Sequence, residues 1–127
     1  MVAWTEYRDI ARKRGALALE LYVVESTPND PEKLSGILPD HLAYQRELEA
    51  SGRLVMAGPL SDEAGEEMTG AGLIVYRASS LDEARAIAKA DPMHKSGARS
   101  FRLRRWLVNE GRLHIDVGLS TGLATLS

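Results

Sequence analysis

Apolar and polar positions recur along the chain in two periods, and their order predicts the order of its elements. Repeats of three to four residues, typical of amphipathic helices, occur in Trp4–Arg14, from Pro39 or Asp40 to Gly52, and from Ser80 to Asp91. Alternation at every second residue, typical of strands, occurs in Leu17–Glu25, Arg53–Ala57, Ala71–Ala78 and Phe101–Val108. After the first helix, the predicted order is therefore strand, helix, strand, strand, helix, strand.

The polar segments between these elements are predicted to be loops. Ser26–Gly36 carries two prolines, and Ser61–Gly70 is acidic. Beyond Gly111 the residues Leu113–Leu119 alternate once more. This arm is too apolar to stay free in a monomer, so we expect it to pair with a neighbouring sheet edge, of this chain or of a second subunit.

Two strand–helix–strand halves of this kind predict a ferredoxin-like α+β fold, in which both helices cover one face of an antiparallel sheet. The other face stays exposed unless a partner covers it, and we expect Tyr22, Val24 and Trp106 to lie there. Two such sheets packed face to face form a dimeric α/β barrel. We therefore predict a single domain over residues 1–127, with a helix at 1–15 and an arm at 112–127, in a homodimer or higher homo-oligomer.

Composition narrows the class of function. The net charge of -2 argues against nucleic acid as a partner, and the basic stretch Lys95–Arg105 is interpreted as a solvated or inter-subunit face. The chain has no cysteine, and its three histidines lack the spacing of metal ligands. No apolar run approaches the roughly 18 residues of a membrane span. We expect a cytoplasmic protein with a small-molecule substrate, without membrane, metal or cofactor.

His41 and Asp91 are the candidate catalytic residues. His41 shares the inward side of its helix with Tyr44 and Leu48, and Asp91 continues the buried stripe of the next helix one turn after Ile87. A buried carboxylate without a partner is costly. An imidazole accepts and returns protons near neutral pH, and a carboxylate on its other nitrogen fixes the tautomer. The pair suits proton abstraction, with His41 as general base and Asp91 as its orienting partner.

Other interpretations of the same residues stay open. His41 is alternatively a hydrogen-bonded core or interface residue, and Asp91 alternatively caps a loop amide beyond Pro92. His94 lines the mouth of a pocket or is an exposed loop residue. His114 is most simply solvent-facing.

Three segments resemble the YCII-related (YciI-like) family, a group of small dimeric α+β barrel proteins. They are LPDHLAYQRELEASGRLVMAGPL, LIVYRASSLDEARAIAKADP and SFRLRRWLVNEG, and the resemblance extends from about Leu17 to Gly111. It implies an active-site pair at His41 and Asp91, and we expect His94, Tyr44, Gly58 and Pro59 to bind the substrate. Some members carry Arg-Pro before the histidine where this chain has Leu38-Pro39, which implies a different handling of a substrate anion.

A few relatives take part in the breakdown of aromatic compounds, including a dehydrochlorinase of chlorinated hydroxyhydroquinone, and muconolactone isomerases are similar in fold. The resemblance implies a cofactor-independent lyase or isomerase that uses a His-Asp pair for proton transfer on a hydroxylated or chlorinated aromatic or quinone-type molecule. The alternatives are a non-catalytic dimeric module that binds a small ligand or a protein, and a monooxygenase on the same barrel.

Overall fold

A computed structural model describes all residues, 1–127. In chain order the elements are α1 (Trp4–Lys13), β1 (Leu19–Pro28), α2 (Pro31–Ala50), β2 (Leu54–Ser61), β3 (Met68–Tyr76), α3 (Leu81–Ala90), α4 (Pro92–Lys95), β4 (Arg99–Val108), β5 (Ile115–Val117) and β6 (Ala124–Leu126). No helix among them is both long enough and apolar enough to cross a membrane.

The chain is divided into two compact units. Residues 20–107 form the larger unit, which holds the four-stranded sheet with α2, α3 and α4. Residues 1–19 and 108–127 form the smaller unit, which holds α1 and the pair β5 and β6. The sequence predicted a single domain over 1–127, and the helix and the arm that it placed at the two ends both fall in the smaller unit.

The sheet of the larger unit has the strand order β2-β3-β1-β4. β3 runs antiparallel to both β1 and β2, with Val75 opposite Val23 on one side and Met56 on the other. Because β2 is an edge strand, it tolerates Pro59, which has no amide proton to donate. This is the strand order of a ferredoxin-like βαββαβ unit, and the predicted α+β class is confirmed.

The hydrophobic core lies between the sheet and α2 and α3. β1 contributes Tyr22 and Val24, which pack with Leu48 of α2 and Ile87 of α3. The prediction that Tyr22 and Val24 lie on the open face is therefore wrong. Both faces of this strand carry apolar residues, so alternation alone did not say which face meets the helices. Trp106, also assigned to the open face, is 44% exposed.

The helix α2 begins eight residues earlier than its sequence pattern predicted, at Pro31 instead of Pro39. The side chain of Asp30 accepts a hydrogen bond from the Glu32 amide at 3.2 Å and caps the helix, and Pro31 occupies its first turn. The predicted loop Ser26–Gly36 is wrong, because β1 continues to Pro28 and only two residues separate it from the helix. Asp30-Pro31 carries the same start signal as Pro39-Asp40, and Pro39 lies inside the helix.

The predicted loop Ser61–Gly70 is shorter in the structure, since Ser61 belongs to β2 and Met68 already begins β3. Asp62 closes the connection. Its carboxylate accepts hydrogen bonds from the Glu66 and Glu67 amides at 2.9 and 3.3 Å, and these bonds lower its pKa.

In the smaller unit the arm pairs with the end of its own chain. β5 runs antiparallel to β6, with Ile115 opposite Leu126. Pairing of the arm with a second subunit stays a prediction. The Leu17 amide donates to the Asn109 carbonyl at 3.1 Å and joins the two segments of this unit.

Candidate functional site

A cavity of about 390 Å³ in the larger unit is lined by residues from α2, α4 and all four strands of the sheet. Most of its lining is apolar or glycine, including Leu38, Leu42 and Met93. Its polar side chains are Ser26, His41, Gln45 and Arg99. The volume is within the range of sites for small molecules, and a few convergent polar groups in an apolar wall are typical of such sites.

His41 and Asp91, which are 50 residues apart in the sequence, meet at the wall of this cavity. The Nδ1 atom of His41 lies 2.8 Å from Oδ1 and 2.9 Å from Oδ2 of Asp91. The side chain of Asp91 is 1% exposed, and that of His41 is 16% exposed. Because a carboxylate only accepts hydrogen bonds, Nδ1 carries the proton that is donated, and in the neutral form of the ring the free lone pair is on Nε2. That atom has no hydrogen-bond partner in the chain.

The turn between α3 and α4 places the Asp91 carboxylate. The helix α3 ends at Ala90, so Asp91 is not within the helix as its stripe suggested, and its extended backbone (φ -59°, ψ 125°) is the conformation favoured before proline. Its Oδ1 atom also accepts from the Met93 amide at 2.9 Å. The alternative of a cap beyond Pro92 is thus present together with the contact to His41, since one carboxylate serves both.

His94 lies behind the cavity wall. Its Nδ1 donates to the Ala88 carbonyl at 2.8 Å, and its Nε2 accepts from the Ser26 hydroxyl at 2.8 Å. The ring packs against Phe101 with the centroids 4.7 Å apart. Both nitrogens are therefore in use, so the structure places His94 neither at the cavity lining nor in an exposed loop.

Of the other predicted substrate-binding residues, the structure brings Gly58 and Pro59 to the cavity lining. It does not bring Tyr44 there, because the Tyr44 hydroxyl donates to the Ile87 carbonyl at 2.7 Å and the ring packs against the core. Burial raises the pKa of Tyr44, and the charge of Asp91 adds to this effect.

Two polar residues of the cavity were missed in the sequence. Ser26 was assigned to a loop, and Arg99 to a basic stretch on a solvated or inter-subunit face. In the structure Ser26 is buried at the end of β1, and Arg99 begins β4 and donates from Nε to the Ser26 hydroxyl at 2.8 Å. The sequence did offer one signal for this contact. In the predicted fold β1 and β4 are neighbours, and the end of β1 then lies beside the start of β4, which brings residues 26 and 99 together.

His94 is expected to make the stability of the fold depend on pH. Burial lowers its pKa below the ordinary value of 6.5, and the charges of His41 and Arg99 add to this, while the Ala88 bond and the charge of Asp91 oppose it. In mildly acidic solution the unfolded chain binds a proton that the folded chain resists. The free energy of unfolding should therefore fall as the pH drops below about 6.5. Urea unfolding at several pH values measures this fall, and it should be smaller in His94→Gln. An equal fall of the free energy of unfolding in both proteins would show that His94 is not the cause of this pH dependence.

Gly70 is expected to tolerate no side chain. Its φ is +87°, and a Cβ atom there would lie 2.7 Å from Cγ of Pro28. Gly70→Ala should lower the free energy of unfolding by about 1–2 kcal/mol from backbone strain alone, and by more because of the contact with Pro28. Gly65→Ala is the matched control, since Gly65 has a φ of +75° and no atom near the added Cβ. Equal losses in urea unfolding of the two variants would show that the Pro28 contact is harmless.

No group of three or more His, Cys, Asp or Glu side chains in residues 1–127 is arranged to hold a metal ion. The absence of a cofactor remains a prediction from the sequence.

The ferredoxin-like sheet and the contact of His41 with Asp91 beside its cavity define a small α+β protein with a histidine–carboxylate pair. The sequence model of the YCII-related domain matches residues 19–107, and the chain belongs to this family. It is 38% identical over 66 residues to the uncharacterized protein YjpA of Bacillus subtilis (strain 168), a stretch that covers 52% of this chain and 71% of YjpA.

A similar solved structure is that of a dehydrochlorinase. It is the 5-chloro-2-hydroxyhydroquinone dehydrochlorinase TftG of Burkholderia phenoliruptrix AC1100, in complex with 2,5-dihydroxybenzoquinone. The TM-score is 0.50 and the sequence identity 26%, over 68% of this chain and 92% of TftG. The likeness supports the fold and suggests a small enzyme that binds a small molecule.

Proposed function

We propose that this protein is a cofactor-independent enzyme that transfers a proton on a hydroxylated or chlorinated ring compound, as a lyase or isomerase. The observation that carries the proposal is the contact of His41 Nδ1 with the buried carboxylate of Asp91, because it leaves the proton-accepting Nε2 on the ring that lines the cavity. The likeness to a dehydrochlorinase supports the same class of reaction.

In the proposed reaction, Nε2 of His41 takes a proton from a hydroxyl group or an acidic carbon of the substrate. The electron pair left behind moves into the ring system and either expels chloride or shifts a double bond. The carboxylate of Asp91 stabilises the imidazolium that forms. In the lyase case a proton and a chloride ion leave the substrate, and in the isomerase case the imidazolium returns the proton to another carbon of the ring system. Proton transfer of this kind contributes typically about 10²–10⁴-fold to the rate.

The cavity walls have separate roles in this proposal. Leu38, Leu42 and Met93 offer apolar surface to a ring, and Gly58 and Pro59 close the side formed by β2. Exclusion of water strengthens the electrostatic effect of Asp91 on His41. A sealed His41 without a cavity was the feature expected of a non-catalytic binding module, and the cavity beside His41 therefore favours the enzyme.

The experiment is an assay of chloride release from 5-chloro-2-hydroxyhydroquinone, with loss of the substrate followed by absorbance. The same assay includes unchlorinated hydroquinones, whose double-bond shifts appear in the spectrum. We expect turnover above the uncatalysed rate under anaerobic conditions. Binding without turnover would favour the non-catalytic module, and turnover only in the presence of oxygen would favour the monooxygenase.

We also propose a homodimer formed through the open face of the sheet. This face carries a groove of about 370 Å³ lined by Val23, Glu25, Leu73, Arg104, Arg105 and Trp106. Trp106→Glu replaces the large apolar ring of this groove by a charge and is expected to weaken the dimer at least about tenfold. Light scattering across a concentration series measures the effect. Lys89→Glu is the control, since Lys89 is an exposed residue of α3. A dimer unchanged by Trp106→Glu would place the interface elsewhere.

A further inference from the structure

One permanently charged side chain, that of Arg99, lines the cavity beside His41. Arg99 is the single lysine or arginine among its lining residues, and no aspartate or glutamate lines it. Arg99 begins β4 and is half-buried, so its guanidinium is partly removed from water. A charge that loses water is stabilised when an opposite charge is supplied.

Three hydrogen bonds hold the guanidinium of Arg99 to neutral groups. Its Nε donates to the Ser26 hydroxyl and its Nη2 to the Ser26 carbonyl, both at 2.8 Å, and Nη2 also donates to the Gly70 carbonyl. These contacts use three of the five N–H donors of the side chain. The two donors of Nη1 have no partner in the chain, on a residue that lines the cavity.

The carboxylate of Asp91, whose charge acts on Arg99, is already bound by other groups. Burial lowers the pKa of Arg99, and the charge of Asp91 opposes that shift without a direct contact. Both oxygens of Asp91 face His41 Nδ1, and Oδ1 also accepts from the Met93 amide. Arg99 is therefore a cation without a carboxylate partner of its own.

His94 and Ser26 fix the direction in which Arg99 points. The Ala88 carbonyl holds the proton of His94 on Nδ1, and Nε2 of His94 then accepts the Ser26 hydroxyl proton. The Ser26 oxygen is left to accept from Arg99 Nε. The bonds from Nε to the Ser26 hydroxyl and from Nη2 to the Ser26 and Gly70 carbonyls fix the plane of the guanidinium, and with it the orientation of Nη1.

We propose that Arg99 is the anion-recognition residue of this cavity, and that its ligand is a ring compound with an ionised oxygen that accepts from Nη1. Guanidinium groups recognise oxyanions through strong, charge-assisted hydrogen bonds. The inference deepens the proposed function, on which it rests for the role of His41: the oxyanion on Arg99 orients the ring while Nε2 of His41 takes a neighbouring proton. Ser26 and His94 are positioning residues that act through Arg99.

Isothermal titration calorimetry with three ring compounds tests the proposal. The probes are 2,5-dihydroxybenzoquinone, ionised at a hydroxyl; 2,5-dihydroxybenzoate, ionised at a carboxyl; and neutral hydroquinone. We expect at least one anion to bind the wild type about tenfold or more tightly than hydroquinone. The two anionic arms show whether the oxyanion is a hydroxyquinone oxygen or a carboxylate.

The variant Arg99→Met should weaken binding of that anion by about 10- to 100-fold and leave hydroquinone binding nearly unchanged. Arg102→Met is the matched control: it removes the same charge from an exposed position of β4 outside the cavity and should bind like the wild type. Arg99→Lys keeps the charge without the geometry of the three hydrogen bonds, so its affinity for the anion should lie between those of Arg99→Met and the wild type. Ser26→Ala should weaken anion binding but not hydroquinone binding.

If Arg99→Met fails to fold, the comparison of anion with hydroquinone in the wild type and in Arg99→Lys still decides. Three results would each overturn the proposal. They are equal affinity for all three probes, no binding of either anion, and anion binding that the substitutions of Arg99 leave unchanged. Failure of the proposed function has a different signature, namely anion binding that depends on Arg99 in a protein that turns over no ring compound.

Discussion

Replacing His41 by asparagine is expected to lower kcat for chloride release from 5-chloro-2-hydroxyhydroquinone by about 10²–10⁴-fold. Asparagine has nearly the shape of the proximal imidazole and still hydrogen-bonds, but it accepts no proton at neutral pH. The Nε2 lone pair beside the cavity is lost with it. Steady-state kinetics with a chloride electrode measures the change. KM should change much less than kcat, since the cavity walls remain.

His114→Asn is the matched control for this result, because it makes the same substitution at an exposed position, in the hairpin at the end of the chain. It should retain wild-type kcat. A folded His41→Asn protein with wild-type turnover would show that His41 is a structural histidine, and the proposed mechanism would fail with it.

Asp91→Asn is expected to affect both turnover and stability. The carboxylate is fully buried and accepts from both His41 Nδ1 and the Met93 amide. The asparagine side chain keeps only one of the two acceptor oxygens and has an NH₂ group in place of the other, which cannot accept from Nδ1. It also carries no charge that would stabilise an imidazolium. Loss of a hydrogen bond to a charged, buried group costs about 1.5–3 kcal/mol. We expect the free energy of unfolding to fall by this amount and kcat to fall by roughly ten- to a hundredfold.

Urea unfolding and chloride release, measured on the same preparation, separate the two effects. Asp40→Asn makes the same exchange at the exposed neighbour of His41 and should leave both values unchanged. If the two residues act as a unit, Asp91→Asn should cost little further turnover in a protein that already carries His41→Asn. Additive losses in the double variant would contradict a shared role.

Periodicity predicted the order of the sheet elements and the inward direction of His41 and Asp91, and the family resemblance implied that these two residues form a pair. The apolar side of α2 carries His41, and the apolar stripe of α3 continues to Asp91, so both side chains were predicted to point toward the interior of the fold. Their hydrogen bond depended on details that periodicity does not contain. Asp91 lies in the turn before Pro92, and its second contact with the Met93 amide fixes the direction of the carboxylate.

Two of the errors concern a choice between two local signals of equal strength, and the third concerns contacts between residues far apart in the sequence. Proline and aspartate occur together at positions 30–31 and 39–40, and only packing decides that α2 continues through the second. β1 is apolar on both faces, so its inner face is set by the helices that cover it. Ser26, His94 and Arg99 are joined across 68 and 73 residues, and such contacts need strand pairing.

The proposed reaction requires that His41 offers an unprotonated Nε2 to a ligand while Asp91 holds the proton on Nδ1. Nitrogen-15 NMR of the ring, with and without 2,5-dihydroxybenzoquinone, tests it most directly. We expect the Nδ1–H tautomer in the free wild type, its loss in Asp91→Asn, and a large shift of the Nε2 resonance when the ligand is added. A ring with its proton on Nε2, or an Nε2 resonance unmoved by a bound ligand, would contradict it.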